Sequence, residues 1–135
     1  MSVIVTDAGF GPDVWNEPIV PLDDADEGAQ AIDLPSDADP ATLVGRLPTL
    51  RMIRVDFPSF ADGRGFTIAR QLRLMGYDGV LRAHGHVIAD QYAMARRSGF
   101  DEVEISDDLA ERQPEDQWQF RAGWQAHDYQ ARLRG

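Results

Sequence analysis

Between Leu50 and Ile105 three short apolar segments alternate with two stretches of helical period, and this alternation limits the fold more than any other feature of the chain. Met52-Ile53-Arg54-Val55-Asp56-Phe57 suits a strand, which Pro58 ends by removing a backbone donor. Ile68, Ala69, Leu72 and Met75 then recur at helical spacing, and Gly76 stops that helix. A second strand, Val80 to about Ala83, leads through Gly85 to a helix whose buried face is Ile88, Tyr92 and Ala95, closed by Gly99. Val103-Glu104-Ile105 is the third strand. Strand, helix, strand, helix, strand at this spacing predicts an α/β fold with a small βαβαβ core, a parallel sheet of four or fewer strands joined by right-handed crossovers.

The flanks are less regular. Residues 1–39 form an acidic, turn-rich segment with short strands at Val3–Val5, Ile19–Leu22 and Ala31–Leu34, and a loop over Asp23–Gly28 that has nothing apolar to bury. Asp39-Pro40 opens a short helix through about Leu47, with Asp as cap and Pro at the first helical position. Residues 40–135 carry the α/β core, and Pro114 begins a C-terminal helix with Glu115 and Asp116 in its first turn. Trp118 and Trp124 near that end have two destinations open to them, the open face of the small sheet or a subunit contact. At 135 residues, the two segments read as one domain.

Charge is unevenly placed. Residues 1–45 hold ten acids and no Arg or Lys, whereas residues 46–135 hold thirteen acids and thirteen Arg, so the formal charge of −10 sits in the first third. A Lys-free acidic chain repels a phosphate backbone, which argues against nucleic acid, and the same field can steer the chain to a basic protein partner. There is no cysteine, so disulfides, thiolate nucleophiles and cysteine-bound clusters are excluded. No apolar run reaches the ~20 residues of a membrane span, and no basic-then-apolar leader opens the chain, so a soluble cytoplasmic protein is expected.

In open parallel sheets ligands bind beyond the carboxyl ends of the strands. The polar residues predicted there are Asp56, Ser59, Asp62, Gly63, Arg64 and Gly65 after the first strand, and Arg82, His84 and His86 after the second. Gly63 and Gly65 allow close approach of a guest and Arg64 offers a fork to an oxyanion. Equally, Asp62-Gly63 is a turn, Asp62 a cap and Arg64 a surface charge. The spacing matches neither the P-loop nor the dinucleotide fingerprint, so no cofactor is expected. His84-Gly85-His86 with Asp90 has a metal reading and, against it, a capping or solvent-facing one; no metal is expected either.

Val55-Asp56-Phe57-Pro58-Ser59-Phe60, Asp62-Gly63-Arg64-Gly65-Phe66, Gly79-Val80-Leu81-Arg82-Ala83, Asp90-Gln91, Arg97 and Gly99-Phe100-Asp101 form an ordered set. That set resembles the bacterial family called domain of unknown function 934, and Trp15, Ile19-Val20-Pro21-Leu22 and Tyr129-Gln130 resemble its end motifs. Members are commonly encoded beside sulfite reductase and are often labelled oxidoreductase. The resemblance implies an accessory protein of assimilatory sulfate or sulfite reduction, docking on sulfite reductase or a related enzyme, with a small oxyanion as guest at the Asp62–Gly65 loop. The ligand-binding residues it and the rim together nominate are Asp56, Ser59, Asp62, Gly63, Arg64, Gly65, Arg82, Asp90 and Gln91. The alternative is a small-metabolite enzyme with Asp56 or Asp90 as acid/base and Arg64 and Arg82 orienting an anionic substrate; the label alone suggests a flavoprotein. Members tend to have cysteine at the position of Ser98, an apolar residue at position 84 and Asp at position 86, so the two histidines are this chain's own. A small sheet also leaves an edge or face for a second copy, a homodimer.

Overall fold

The computed structural model describes residues 2–26 and 28–124. It is an α/β fold with a C-terminal helix, as expected, but the sheet has seven strands rather than four or fewer. They are β1 (Ser2–Thr6), β2 (Gly9–Gly11), β3 (Val20–Pro21), β4 (Ala31–Leu34), β5 (Met52–Phe57), β6 (Val80–Gly85) and β7 (Glu102–Ser106). The helices are α1 (Arg64–Leu74), α2 (Tyr92–Ser98), α3 (Asp107–Arg112) and α4 (Glu115–Arg121). Four strands come from residues 2–34, so the acidic segment is built into the core sheet. The short helix expected after Asp39 is instead a pair of 3₁₀ turns, Pro40–Leu43 and Leu47–Thr49, although Asp39 caps as expected by accepting from Ala41 N at 3.0 Å. Gly45 and Pro48 interrupt any longer helix there. The hairpin strand β2 and helix α3 are not among the elements that the sequence pattern predicts.

The strand order is β2-β1-β7-β6-β5-β4-β3. From β3 to β7 each strand lies parallel beside its predecessor, and β1 closes on β7 antiparallel. Because the order never reverses, successive crossovers all land on one side. Ile53, Val55, Phe57, Leu81, Ala83, Val103 and Ile105 point to that side and form one core with Ile68, Ala69 and Leu72 of α1 and Tyr92 and Ala95 of α2. Phe57 anchors it, with its ring 4.9 Å from Phe66 and 5.8 Å from Phe100. Trp118 of α4 is buried in the same layer, edge-on to Tyr92 at 6.1 Å, and does not cover the open face.

Arg73 ties this layer together. Its guanidinium donates to Gly99 O at 3.0 and 2.9 Å, to Tyr77 O and Gly79 O at 2.9 Å, and to Asp101 Oδ2 at 2.8 Å. Asp101 in turn accepts from Leu81 N at 2.9 Å. The Gly79 and Gly99-Phe100-Asp101 motifs are thus explained by one half-buried fork that satisfies helix-end and loop carbonyls.

Among the described residues no helix lies on the opposite face. Residues 12–19 cross it, because they must join β2 at one edge to β3 at the other. Five strands lie between those edges, so on a flat sheet the crossing is about six spacings of ~4.8 Å. Nine Cα steps at up to ~3.4 Å supply about that much. Trp15 anchors the strap beneath the Arg51 guanidinium, which sits 5.1 Å from its ring.

The Asp62-Gly63-Arg64-Gly65 corner can be judged on packing alone. A Cβ at Gly65 would lie 2.5 Å from the Phe57 ring, whereas one at Gly63 would meet nothing closer than 3.8 Å. Gly65 is required so that α1 can touch Phe57. Gly65→Ala is expected to destabilise by about 1–3 kcal/mol and Gly63→Ala by less than about 0.5 kcal/mol. Paired urea titrations measure this; equal costs would mean that Phe57 does not hold α1 in place.

Candidate functional site

Strands β5, β6 and β7 alternate, and their second face is polar. Register places Asp33, Arg54 and Arg82 side by side, with Glu102 beside Arg82, and His84 between Asp56 and Glu104. Parallel strands covered on both sides read as continuous apolar runs; these do not, because helices cover only one side. The charges pair across the strands. Arg54 forks onto Asp33 at 2.5 and 2.7 Å and reaches Glu104 Oε1 at 3.0 Å. Arg82 donates to the same Glu104 oxygen at 2.9 Å, to Glu102 at 2.9 Å, and to Asp13 of the strap at 3.1 and 3.2 Å.

Arg82 is only 2% exposed, and its cation is held by three carboxylates. Burial disfavours that cation, yet Asp13, Glu102 and Glu104 outweigh it and raise the Arg82 pKa; Arg54 is raised by its bond to Asp33. Burial also disfavours ionised Glu104 and Asp13, but the guanidinium groups win and both carboxyls lie below their ordinary value. Glu102 goes the other way: burial raises it despite Arg82. Two arginines facing four carboxylates account for the split, since one acid receives the least compensation.

Three cavities border this ladder. The largest, about 480 Å³, lies under the strap between Phe10, Trp15, Met52, Val80 and Arg82. A second, about 410 Å³, is walled by Leu22, Asp33, Leu34, Arg54, Asp56 and His84. A third, about 310 Å³, opens at the carboxyl ends of β6 and β7 between Phe60, His84, His86, Ser106, Leu109 and Arg112. His84 stands between the last two, with Nε2 3.5 Å from Glu104 and Nδ1 3.9 Å from Asp56.

The residues nominated by the sequence fall into separate places. Asp56 reaches the second cavity. Ser59 accepts from Ala61 N within the loop. Arg64 opens α1 in the helical layer, where Asp62 fills its fork at 3.0 and 2.7 Å and Ser36 accepts at 2.8 Å. That fork holds the Asp62 carboxyl well below the usual carboxylate range. Arg82 faces away from this layer, so the two guanidinium groups share no partner. Gln91 is a clip, accepting from Ile88 N at 3.0 Å and donating to Phe60 O at 2.9 Å, while Asp90 pairs with Arg121 at the surface. His86 Nδ1 lies 3.2 Å from Phe57 O, and among the described residues no group of three or more acidic or histidine side chains is placed to hold a metal. Asp13, Asp33, Arg54, Glu104 and Arg112 were not nominated, although period-two charges at 54, 56, 82, 84, 102 and 104 were the available signal.

The family model described as "Bacterial protein of unknown function (DUF934)" matches residues 31–134. The chain belongs to that family. Within the DUF934 region lie β4 to β7 and all four helices, together with Arg54, Arg82 and Glu104; β1 to β3 and the strap with Asp13 and Trp15 precede it. The Tyr129-Gln130 motif falls outside the described residues. No curated protein and no solved structure matched. Among the described residues no helix is long and apolar enough to cross a membrane.

Removing one partner of a buried ion cluster leaves charges uncompensated. Arg82→Met is expected to cost about 3–5 kcal/mol at pH 7. Glu104 and Asp13, with lowered values, stabilise above the ordinary carboxyl pKa of ~4 and lose that contribution as pH falls through their folded values. Glu102, raised, contributes below the ordinary value and loses it as pH rises through its folded value. The Arg82→Met deficit should therefore shrink mainly below pH ~4 in urea unfolding, as Glu104 and Asp13 take up protons. A deficit independent of pH would mean that Arg82 acts by packing.

Proposed function

We propose that this chain is an accessory protein of assimilatory sulfate or sulfite reduction, cytoplasmic, that docks on sulfite reductase or a related enzyme with the helix-free face of its sheet. The pathway comes from the sequence resemblance. The docking mode rests on one observation: among the described residues a five-stranded parallel run has helices on one side only, and the other side carries an acidic ladder that only the strap of residues 12–19 partly covers. Parallel sheets are normally covered on both faces. Two arginines against Asp13, Asp33, Glu102 and Glu104 leave that surface negative, and Asp23, Asp24 and Asp56 extend the field around its rim. A partner with a basic surface fits. Both sheet edges are guarded, β3 by its two-residue length and Pro21, β2 by Glu115, which accepts from Phe10 N at 2.7 Å. These features favour face-on docking over strand addition, and they make a homodimer formed edge to edge the weaker arrangement.

A second reading has its own support. His84 between Asp56 and Glu104, on the wall of a 410 Å³ cavity, is a constellation able to move a proton on a small metabolite. Asp56 serves that reading; Asp90, paired with Arg121 at the surface, does not.

Purified sulfite reductase is the probe. At low salt it is expected to bind the chain saturably, with association slowed about tenfold by Asp23→Lys combined with Asp24→Lys and slowed likewise by 0.5 M salt. Absence of binding at low salt would overturn the docking reading. For the enzymatic reading, a thermal-shift screen of anionic metabolites should give hits that Asp56→Asn abolishes without loss of fold; hits unchanged in that variant would count against it.

A further inference from the structure

The third cavity differs from everything around it. The chain carries 23 acidic residues, yet none of the nine residues lining this 310 Å³ space is Asp or Glu. Three of them, Arg112, His84 and His86, can carry positive charge, and they come from α3, the end of β6 and the turn after it. The Arg112 side chain has no hydrogen bond or ion pair to another described residue, whereas Arg54, Arg64, Arg73 and Arg82 have their forks filled by this chain's own oxygens.

Two hydroxyls complete the set. Ser2 and Ser106 are directly opposed in the antiparallel β1–β7 ladder, and both line the cavity. Directly opposed side chains start about 5 Å apart at Cβ, a spacing that two oxygens of one small ion can bridge. Ser106 Oγ accepts from Leu109 N at 3.2 Å, which leaves its O–H able to donate outward. Phe60, Ile105 and Leu109 supply the apolar part of the wall, and the Phe60 ring stands edge-on to His86 at 5.1 Å. The location, beyond the carboxyl ends of adjacent parallel strands, is the usual one for ligands in open sheets.

We infer that this cavity is a binding site for a small oxyanion, held by Arg112 and by the paired hydroxyls of Ser2 and Ser106. A guanidinium and two hydroxyls offer charge and several donors at one point, which suits a compact dianion with oxygens on several sides. His84 and His86 face the same space without being needed as donors. The inference rests on the accessory reading only in giving that reading's guest a place, and it involves no partner protein. It also moves the guest away from the Asp62–Gly65 loop, where Asp62 already occupies the fork of Arg64.

The full chain, labelled with ¹⁵N, is titrated with sodium sulfate against sodium chloride at constant ionic strength. Saturable amide shifts confined to Ser106, Leu109, Arg112 and the turn after β6 are expected, with affinity at least tenfold weaker in Arg112→Ala and several-fold weaker in Ser2→Ala. Arg112 is exposed and Ser2 half-buried, and the fold of both variants is checked in the same spectra. Sulfate should bind better than acetate at equal ionic strength; equal binding would overturn the choice of a dianion. Absence of saturation, or binding that survives Arg112→Ala and is lost in Arg64→Ala, would overturn the site. None of these outcomes bears on docking to sulfite reductase, which is measured with no sulfate present.

Discussion

Two guanidinium groups lying flat on one face of a parallel sheet set the terms for the rest of this molecule. Arg54 and Arg82 meet on a single oxygen of Glu104, at 3.0 and 2.9 Å, and each then takes further acids on its own flank. Such a cluster suits the side without a helix layer, where Asp33 and Asp13 keep contact with water while Arg82 and Glu104 are buried and paired. The strand order makes that possible: with β3 to β7 in unbroken sequence, every crossover is on the other side. The strap of residues 12–19 is then less a connecting loop than the cover of the ladder, bringing Asp13 to Arg82 and Trp15 to Arg51.

The same topology changes where a ligand would be sought. Doubly wound sheets open a crevice where the strand order reverses. This sheet has no reversal among its parallel strands, so its concavities are of other kinds: one beneath the strap, and two along the carboxyl rim on either side of His84. The motif glycines serve packing more than ligand approach. Gly65 admits the Phe57 ring, and Gly85, at φ +111°, would place a Cβ 2.8 Å from Phe57 O. Phe57 is therefore the point at which β5, α1 and the turn after β6 are held together.

Much of the recurring motif is likewise structural. Asp101, Gly99 and Gly79 converge on Arg73, and Gln91 clips the turn before α2 to Phe60 O. Asp7 joins the first hairpin to the helical layer through Tyr92 at 2.5 Å and Arg96 at 3.2 Å; burial opposes its ionisation, but those bonds and one from Trp124 keep its carboxyl below the ordinary value. Residues of this sort look functional in a one-dimensional pattern because a charge or glycine at a fixed place is needed in either case. Only the identity of the partner separates the two.

The local periodicities of the chain determined by themselves that β5, α1, β6, α2 and β7 would form and follow one another, since propensity, breakers and apolar spacing are properties of neighbouring residues. The alternation within those strands even carried the information that one face is not buried under helices. What only the tertiary structure decided is which polar side chains meet: that Arg82 would be spent on Asp13, sixty-nine residues away, and Arg64 on Asp62 beside it. Contacts between strands depend on register and strand order, and these come from the packing of whole elements, which no short window of sequence contains.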